Sequence, residues 1–217
     1  MNLNIPYMET DNKLLNDAYR IAAGDIVGNI VYYQNGLLTE EKPCMIAGLD
    51  YNTPWTRDTA INIWNALSIL SPEVSKNTLL AVLEEEEGNI YIGGQYWDSI
   101  IWMIGAREYC RFHKDDNFYR LAFEAGRNSV HRLEEDEFDE EDGLFRGPAV
   151  YGDGIAAYPD KYSKCPNQGS GILEWVDYPG NPVYPKGYGI PMKALSTNCV
   201  YFKAYEILAE MAHALGE

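Results

Sequence analysis

Basic residues are scarce in this chain of 217 residues, which carries 17 Lys and Arg against 33 Asp and Glu and a formal net charge of −16 at pH 7. A field of that sign repels phosphate backbones and anionic lipids, so we expect neither a nucleic-acid partner nor a membrane partner. No run approaches the roughly 18 apolar residues that span a bilayer. The start of the chain lacks the basic and apolar parts of a signal peptide, so the location stays open between the cytoplasm and, if a signal peptide was removed, the periplasm or the exterior of the cell.

Cysteine and histidine are also few. The four cysteines form no C-x-x-C pair, and the three histidines do not cluster with them in the sequence. This spacing predicts buried free thiols rather than a zinc site, and we expect no metal and no other cofactor. Two acidic runs, residues 84–87 and 134–142, are predicted to be solvated helix ends and loops, because the second run lacks the spacing of a calcium-binding EF-hand.

The residues that the sequence has in abundance are tyrosine and tryptophan, at 17 and 5 against 6 phenylalanines. Both side chains join a flat apolar face to a polar handle, which suits a selective binding surface. The remaining composition, 46% apolar and 23% charged, is that of an ordinary globular protein. The length predicts one domain, so residues 1–217 are treated as a single α-helical domain.

Apolar residues recur at helical spacing in six segments, which predicts an all-α fold. The predicted helices are residues 11–33, 53–70, 71–88, 96–112, 116–133 and 191–216, with Asp11 as the first N-cap and Gly216 as the last C-cap. Only residues 89–92 have a strand-like pattern. A stretch of about fifty residues, 143–190, separates the fifth and sixth helices and is rich in Gly, Pro and Tyr; loops of this length in a compact domain are usually functional.

The unusual residues precede the second, fourth and sixth helices, and in an up-and-down array these three helices begin at the same end. Flat rings stack on the C–H faces of sugars, Asp and Arg bind their hydroxyls, and paired carboxylates serve glycoside hydrolysis as acid and base. The plainer alternative is that the two tryptophans are core residues and the aspartates complement helix N-termini. The candidate substrate-binding residues are Asp50, Tyr51, Trp55, Arg57, Asp58, Tyr96, Trp97, Asp98 and Trp175.

The segment Trp55-Thr56-Arg57-Asp58 resembles the W-T-R-D segment of glucoamylases, in which Arg and Asp bind the non-reducing sugar. More broadly, the chain resembles the N-terminal half of the six-hairpin glycosidases, the (α/α)6-barrel clan that includes trehalases, rhamnosidases and processing glucosidases. The resemblance implies a toroid of α/α hairpins, a sugar subsite lined by Trp55, Arg57 and Asp58 with Trp97 and Asp98 beside it, and a catalytic general acid at Asp153. Asp142, Asp160 and Glu174 are the reserve candidates for that acid.

The chain departs from this family in its number of helices, about six where a complete barrel has twelve. The second catalytic carboxylate of the clan usually comes from the other half. The chain is therefore interpreted as a fragment, as a half-barrel that pairs with another copy in a homodimer, or as a relative that has lost activity. Without a partner, we expect a set of apolar side chains to lack cover or to repack locally: Ile61, Trp64, Ile101, Leu195 and Phe202.

Three functions remain open from the sequence. The first is a glycoside hydrolase that acts on neutral oligosaccharides with a carboxylate acid and base. The second is a helical carbohydrate-binding protein without catalysis. The third is a helical scaffold whose rim binds a protein partner.

Overall fold

The computed structural model describes residues 5–94, 97–147, 149 and 192–217, and these residues are mostly helical. The helices are α1 (Lys13–Gly28), α2 (Thr56–Asn62), α3 (Ser68–Leu70), α4 (Pro72–Ala81), α5 (Trp97–Phe112), α6 (Asp116–Glu137) and α7 (Leu195–Leu215). A π-helical turn, Ile63–Leu67, joins α2 to α3, so that the three form one continuous segment. The predicted helical class is thus confirmed for the described residues.

Three short antiparallel strand pairs correct the expectation of a purely α-helical chain. They are β1 (Ile30–Tyr33) with β2 (Lys42–Met45), β3 (Leu83–Glu86) with β4 (Asn89–Ile92), and β5 (Phe138–Asp139) with β6 (Leu144–Phe145). Only β4 had a strand-like pattern in the sequence. Each pair is a hairpin beside a helix, and within the described residues none extends beyond two strands.

The helix ends are set by local chemistry, and several differ from prediction. Helix α1 begins after Asn12, whose side chain accepts hydrogen bonds from the backbone N–H groups of Leu14 and Leu15, and not at Asp11. It ends at Gly28, because the following residues pair with β2. Helix α7 ends at Gly216 as predicted, with the glycine in the left-handed conformation at φ 77°.

The glutamate run from 84 lies in a hairpin, although it was predicted to end a helix. Helix α4 stops at Ala81, and β3 then pairs with β4 through a turn in which Glu87 and Gly88 have φ of 51° and 82°. Two consecutive positive φ values are typical of the tight turns that match the twist of a β-hairpin. Helix α6 holds this hairpin, because the Ser129 hydroxyl accepts the N–H of Ile92 at 2.8 Å.

Helix α5 lies at the centre of the core and packs against α2, α4, α6 and α7. Residues 97–103 of α5 are all buried, as is typical of a helix surrounded by other elements. Trp102 fills the space between α5 and α4, and its indole N–H donates to the carbonyl of Leu79 at 3.3 Å. None of the described helices is both long and apolar enough to cross a membrane.

The apolar residues expected to lack cover divide into two groups. Ile101 is buried in the contact between α2 and α5, and Ile61 is half-buried there, so that expectation is wrong for these two. Trp64, Leu195 and Phe202 are exposed, as expected. The three described cysteines are free, but only Cys44 is buried; Cys110 is half-buried and Cys199 is exposed.

Candidate functional site

The N-termini of α2 and α5 lie close together, with Gly93 and Gly94 packed against side chains of both helices. The hydroxyl of Thr56, the first residue of α2, donates to the carbonyl of Gly93 at 2.8 Å. Gly94 follows with φ at 111°, and a Cβ there would lie 3.0 Å from the Cβ of Asp98 and 3.1 Å from the Thr56 hydroxyl oxygen. Glycine is therefore required between the two helix ends, because it provides both the backbone conformation and the space.

The two helices also touch farther along their length. A Cβ on Gly105 of α5 would lie 2.8 Å from the Cα of Ala60 in α2. Around this contact Ala60, Trp97 and Ile101 form a small buried cluster, against which Val200 of α7 packs. These contacts place the first turns of α2 and α5 next to each other, close to the N-terminal part of α7.

Arg57 occupies the centre of the space between the two helix ends. Its guanidinium carbon lies 5.5 Å from the ring centroid of Trp55 and 5.5 Å from that of Trp97. Its Nε is 3.8 Å from Oδ2 of Asp58, and its Nη1 is 4.0 Å from Oδ1 of Asp98. We call these five residues the Arg57 cluster; its carboxylates lie in the first turns of α2 and α5, where the helix dipoles stabilise negative charge.

The members of the Arg57 cluster differ in their access to solvent. Trp97 is only 2% exposed as a residue, whereas Trp55 is 39% exposed. The side chains of Asp58 and Arg57 are 37% and 17% exposed, and that of Asp98 is 11% exposed. Trp97 therefore supports the guanidinium from inside, and Trp55 and Asp58 supply most of the surface that a ligand can reach.

Tyr51 extends the cluster on its exposed side. Its ring meets Trp55 edge to face, with centroids 5.8 Å apart, and its backbone N–H donates to the carbonyl of Gly48. Asp50 precedes it in an exposed turn and, among the described residues, forms no hydrogen bond or ion pair with the cluster. The structure thus brings together six of the predicted site residues, Tyr51 and the Arg57 cluster, and leaves Asp50 at their edge. Tyr96, Trp175 and the predicted acid Asp153 lie outside the described residues, as do Asp160 and Glu174.

A second polar group, missed in the sequence, is buried at the same end of the fold. Glu137 ends α6 and is 4% exposed, although it belongs to the acidic run predicted to be solvated. The Nε of Arg146 lies 3.9 Å from its Oε2, and the Arg146 backbone N–H donates to its carbonyl at 2.8 Å. A carboxylate is buried only when a partner compensates its charge, and Arg146 follows β6 at the position that provides this partner.

Helix α7 covers this buried pair. Tyr201 stacks on Phe145 with ring centroids 3.6 Å apart, and Asn198 binds both backbone groups of Phe145 with its side-chain amide. The Tyr201 hydroxyl is buried and has no hydrogen-bond partner among the described residues. Its burial, together with the nearby charge of Glu137, raises its pKa well above the ordinary value. The group therefore remains a neutral phenol at any physiological pH.

Asp142, a reserve candidate for the acid, has a structural partner on the surface. Lys193 pairs with both Asp142 and Asp139, and the hydrogen bond to Asp139 holds the pKa of that carboxyl below its usual range. The backbone of Gly147 pairs with Lys193 and Met192 beside them. The two ends of the stretch predicted to be a functional loop are therefore joined here. An acidic run thus serves as a set of ion-pair partners, which its composition alone does not indicate.

Within the described parts of the chain, no group of three His, Cys, Asp or Glu side chains is arranged to hold a metal ion. No protein-family model, curated protein or solved structure matches the chain.

Proposed function

We propose that the Arg57 cluster is a sugar-binding subsite of a glycoside hydrolase-like protein that acts on neutral oligosaccharides. The observation that carries the proposal is the placement of the Arg57 guanidinium between Trp55 and Trp97, with two carboxylates within 4.0 Å of it. A planar donor held between rings keeps its orientation without a ligand, so little freedom is lost when a sugar hydroxyl binds.

Each accessible group has a role in this proposal. The open face of Trp55, with Tyr51 at its edge, stacks on the C–H face of a sugar ring. Asp58 accepts hydrogen bonds from neighbouring hydroxyls, and Arg57 donates to another; charged partners make such bonds short and directional. The acidic net charge of the chain disfavours an anionic sugar, because it repels a second carboxylate or a phosphate.

The catalytic part of the proposal rests on the family resemblance. We place the chain as half of an (α/α)6 toroid, with α2, α5 and α7 as inner helices that begin at the ligand-binding end. Asp153 is the proposed general acid, and the second carboxylate comes from outside this chain, either from the other half of such a barrel or from another copy. The grouping of the α2 and α5 N-termini around Arg57 supports this assignment.

Isothermal titration calorimetry with a panel of neutral α- and β-linked di- to tetrasaccharides tests the subsite. Arg57→Lys retains the charge but removes the planar fork, and we expect the affinity to fall at least tenfold. The matched control is Arg111→Lys, because Arg111 also lies over an aromatic ring, that of Phe112, and also pairs with a carboxylate, that of Glu108. Equal affinities for both variants, or no saccharide bound by the wild-type protein, contradict the proposal.

Aryl-glycosides separate catalysis from binding. If Asp153 is the acid, Asp153→Asn loses turnover and still binds the saccharide that the calorimetry identifies. Binding without any turnover by the wild-type protein favours the non-catalytic carbohydrate-binding alternative. If no saccharide binds, the protein-binding scaffold is the remaining hypothesis.

A further inference from the structure

The turn between β1 and β2 contains the sequence Asn35-Gly36, and its asparagine is the only one of the chain that a glycine follows. Asn35 is exposed, and Gly36 has φ at 60°. An asparagine amide can be attacked by the backbone nitrogen of the next residue, and glycine hinders this attack least because it has no Cβ. The turn therefore combines an accessible amide with the neighbour that makes it most reactive.

The Asn35-Gly36 turn covers the C-terminal end of α4. The Asn35 side-chain amide donates to the carbonyl of Ala81 at 3.1 Å, and the Leu37 backbone N–H donates to the carbonyl of Leu80 at 3.1 Å. Carbonyls in the last turn of a helix have no partner within the helix, so these two bonds cap α4. Between the two donors, the N–H of Gly36 forms no hydrogen bond with any described residue. The nitrogen that would attack the amide is therefore not held by a bond.

We propose that Asn35 is a site of spontaneous deamidation, which converts a neutral cap of α4 into a negatively charged one. The backbone nitrogen of Gly36 forms a bond to Cγ of Asn35, the bond from Cγ to Nδ2 breaks, and the proton that the nitrogen gives up leaves with the amide as ammonia. Water then opens the cyclic imide at either of its two C–N bonds. The product is an aspartate, or an isoaspartate in which the main chain runs through Cβ and Cγ. Water is the only co-reactant, so the reaction needs neither an enzyme nor an oxidant.

The new carboxylate lies in an unfavourable environment. The end of α4 carries the negative pole of the helix dipole, and Asn35 lines the same shallow pocket as Glu84. An aspartate therefore loses the hydrogen bond to Ala81 and is repelled by both groups. An isoaspartate adds one carbon to the main chain next to Gly36, where a single added Cβ would already lie 2.6 Å from the Leu80 carbonyl oxygen. Both products loosen the turn from α4.

A plainer explanation of Asn35-Gly36 is that the turn needs this pair, since Gly36 has positive φ and Asn35 caps a helix. That explanation accounts for the presence of the pair but not for any protection from the reaction. The one hydrogen bond that holds the Asn35 amide belongs to an exposed turn, and such bonds open in local fluctuations of the folded protein. We therefore expect the folded protein to react more slowly than the unfolded chain and still to react at this position first. The inference does not depend on sugar binding.

Peptide mapping by mass spectrometry tests the site, on the 217-residue protein kept folded at 37 °C at pH 7 and pH 9. The peptide with Asn35 should gain one mass unit and divide into aspartate and isoaspartate forms, at least tenfold faster at pH 9, because the attacking nitrogen has to lose its proton. Asn89 is the matched control: it is also exposed, but the branched side chain of Ile90 hinders the attack. In Asn35→Gln the ring would need six members, so the mass gain at position 35 should disappear. If the peptide of Asn35 changes no faster than that of Asn89, the proposal is overturned.

Two substitutions test the effect on the cap. Asn35→Asp should lower the urea midpoint of unfolding, because it reproduces one product and removes the donor to Ala81. Asn89→Asp is the control, since Asn89 also lies beside glutamates, Glu86 and Glu87, but stands in β4 and caps no described helix. In aged wild-type protein, a fraction equal to the fraction converted at residue 35 should unfold at a lower midpoint. Equal midpoints for the two variants, or an aged protein that unfolds like fresh protein although residue 35 has reacted, overturn the proposal.

Discussion

Gly105 of α5 and Ala60 of α2 touch backbone to backbone, since a Cβ on Gly105 would lie 2.8 Å from the Ala60 Cα and 3.0 Å from the Ala60 carbonyl oxygen. This contact sets the distance between the two helices whose first turns carry Trp55, Arg57 and Trp97. Any side chain at position 105 would push the helices apart. The Ala60 backbone cannot move aside by changing its rotamer, as a neighbouring side chain could.

Gly105→Ala should therefore lower the free energy of unfolding by about 1–3 kcal/mol, the usual cost of overpacking a close contact. Gly24→Ala is the matched control, since Gly24 lies inside α1 with no atom within 4 Å of the added Cβ. It should raise stability by about 0.5–1 kcal/mol through helix propensity. Urea denaturation of both variants gives the comparison. Equal free energies for the two variants contradict the contact.

A second glycine is required where the loop before β2 crosses the end of α4. Gly36 has φ at 60°, and a Cβ on it would lie 2.6 Å from the carbonyl oxygens of Leu80 and Leu83. Gly88 also has positive φ, at 82°, but has open space around it. The two positions therefore share the conformational cost of alanine and differ in the contact.

Gly88→Ala should cost about 1–2 kcal/mol, the penalty for a left-handed non-glycine residue. Gly36→Ala should cost about 2 kcal/mol more, because the loop has to move away from the carbonyls of Leu80 and Leu83. Thermal and urea unfolding of the pair measure the difference. If the free energy of unfolding of Gly36→Ala equals that of Gly88→Ala, the loop moves away without an energetic cost and the prediction is wrong.

Much of the helical layout could be predicted from the sequence, and the failures have physical causes. The periodicity that predicts residues 96–112 and 116–133 comes from burial around α5 and along α6, so the two helices lie almost where expected. The segment that forms β1 is as apolar as the last turn of a helix would be, so it was predicted to continue α1. It forms a strand because β2, which follows a turn, offers it hydrogen bonds. A pairing of this kind depends on a partner segment that local periodicity does not register.

The candidate site shows the same division. Placement before alternate helices was enough to predict that Arg57, Asp58 and Asp98 lie together. The arrangement of Arg57 between two rings depends on Gly94 and Gly105, which let the two helices approach closely. The sequence does not show that these two glycines, among the many in the chain, lie at a close contact. The prediction for Glu137 was wrong because an acidic run is usually solvated. Its one buried member pairs with Arg146, which lies after the next turn of the chain and which the composition of the run does not reveal.

The buried pair gives a third prediction. Arg146→Met leaves the carboxylate of Glu137 in a site that is 4% exposed, and we expect a loss of about 3–5 kcal/mol in the free energy of unfolding. Arg132→Met is the control, because Arg132 pairs with Glu86 and lies over the Tyr91 ring on the surface, where each of these two contacts contributes at most about 1 kcal/mol.

The double variant Glu137→Gln/Arg146→Met removes both charges and should recover part of the loss. Urea midpoints of the three variants and the wild-type protein measure these differences. If Arg146→Met is no more harmful than Arg132→Met, the pair does not compensate a buried charge.

The link between α4 and α6 predicts a pH dependence. Asp115 is the N-cap of α6, and its carboxylate accepts from the N–H of Phe118 at 3.0 Å and from Nζ of Lys76 at 2.5 Å. The hydrogen bond from Lys76 is the main cause that holds the pKa of Asp115 below its ordinary value of 3.8, and the bond from Phe118 adds to it. The ionised carboxylate is therefore favoured in the folded state.

A lowered pKa contributes stability that is complete above the unfolded-state value and is lost as the pH falls through the folded-state value. Asp115→Asn retains a good N-cap and removes only the charge. We expect wild-type protein to be more stable than this variant at pH 5–7, and the difference to shrink as the pH falls below 3.8. In a Lys76→Met background, the same substitution should show a much smaller pH-dependent difference, because the main cause of the shift is gone. Urea midpoints at pH 7, 5, 4 and 3 give the measurement, and a difference that does not change with pH in the wild-type background contradicts the link.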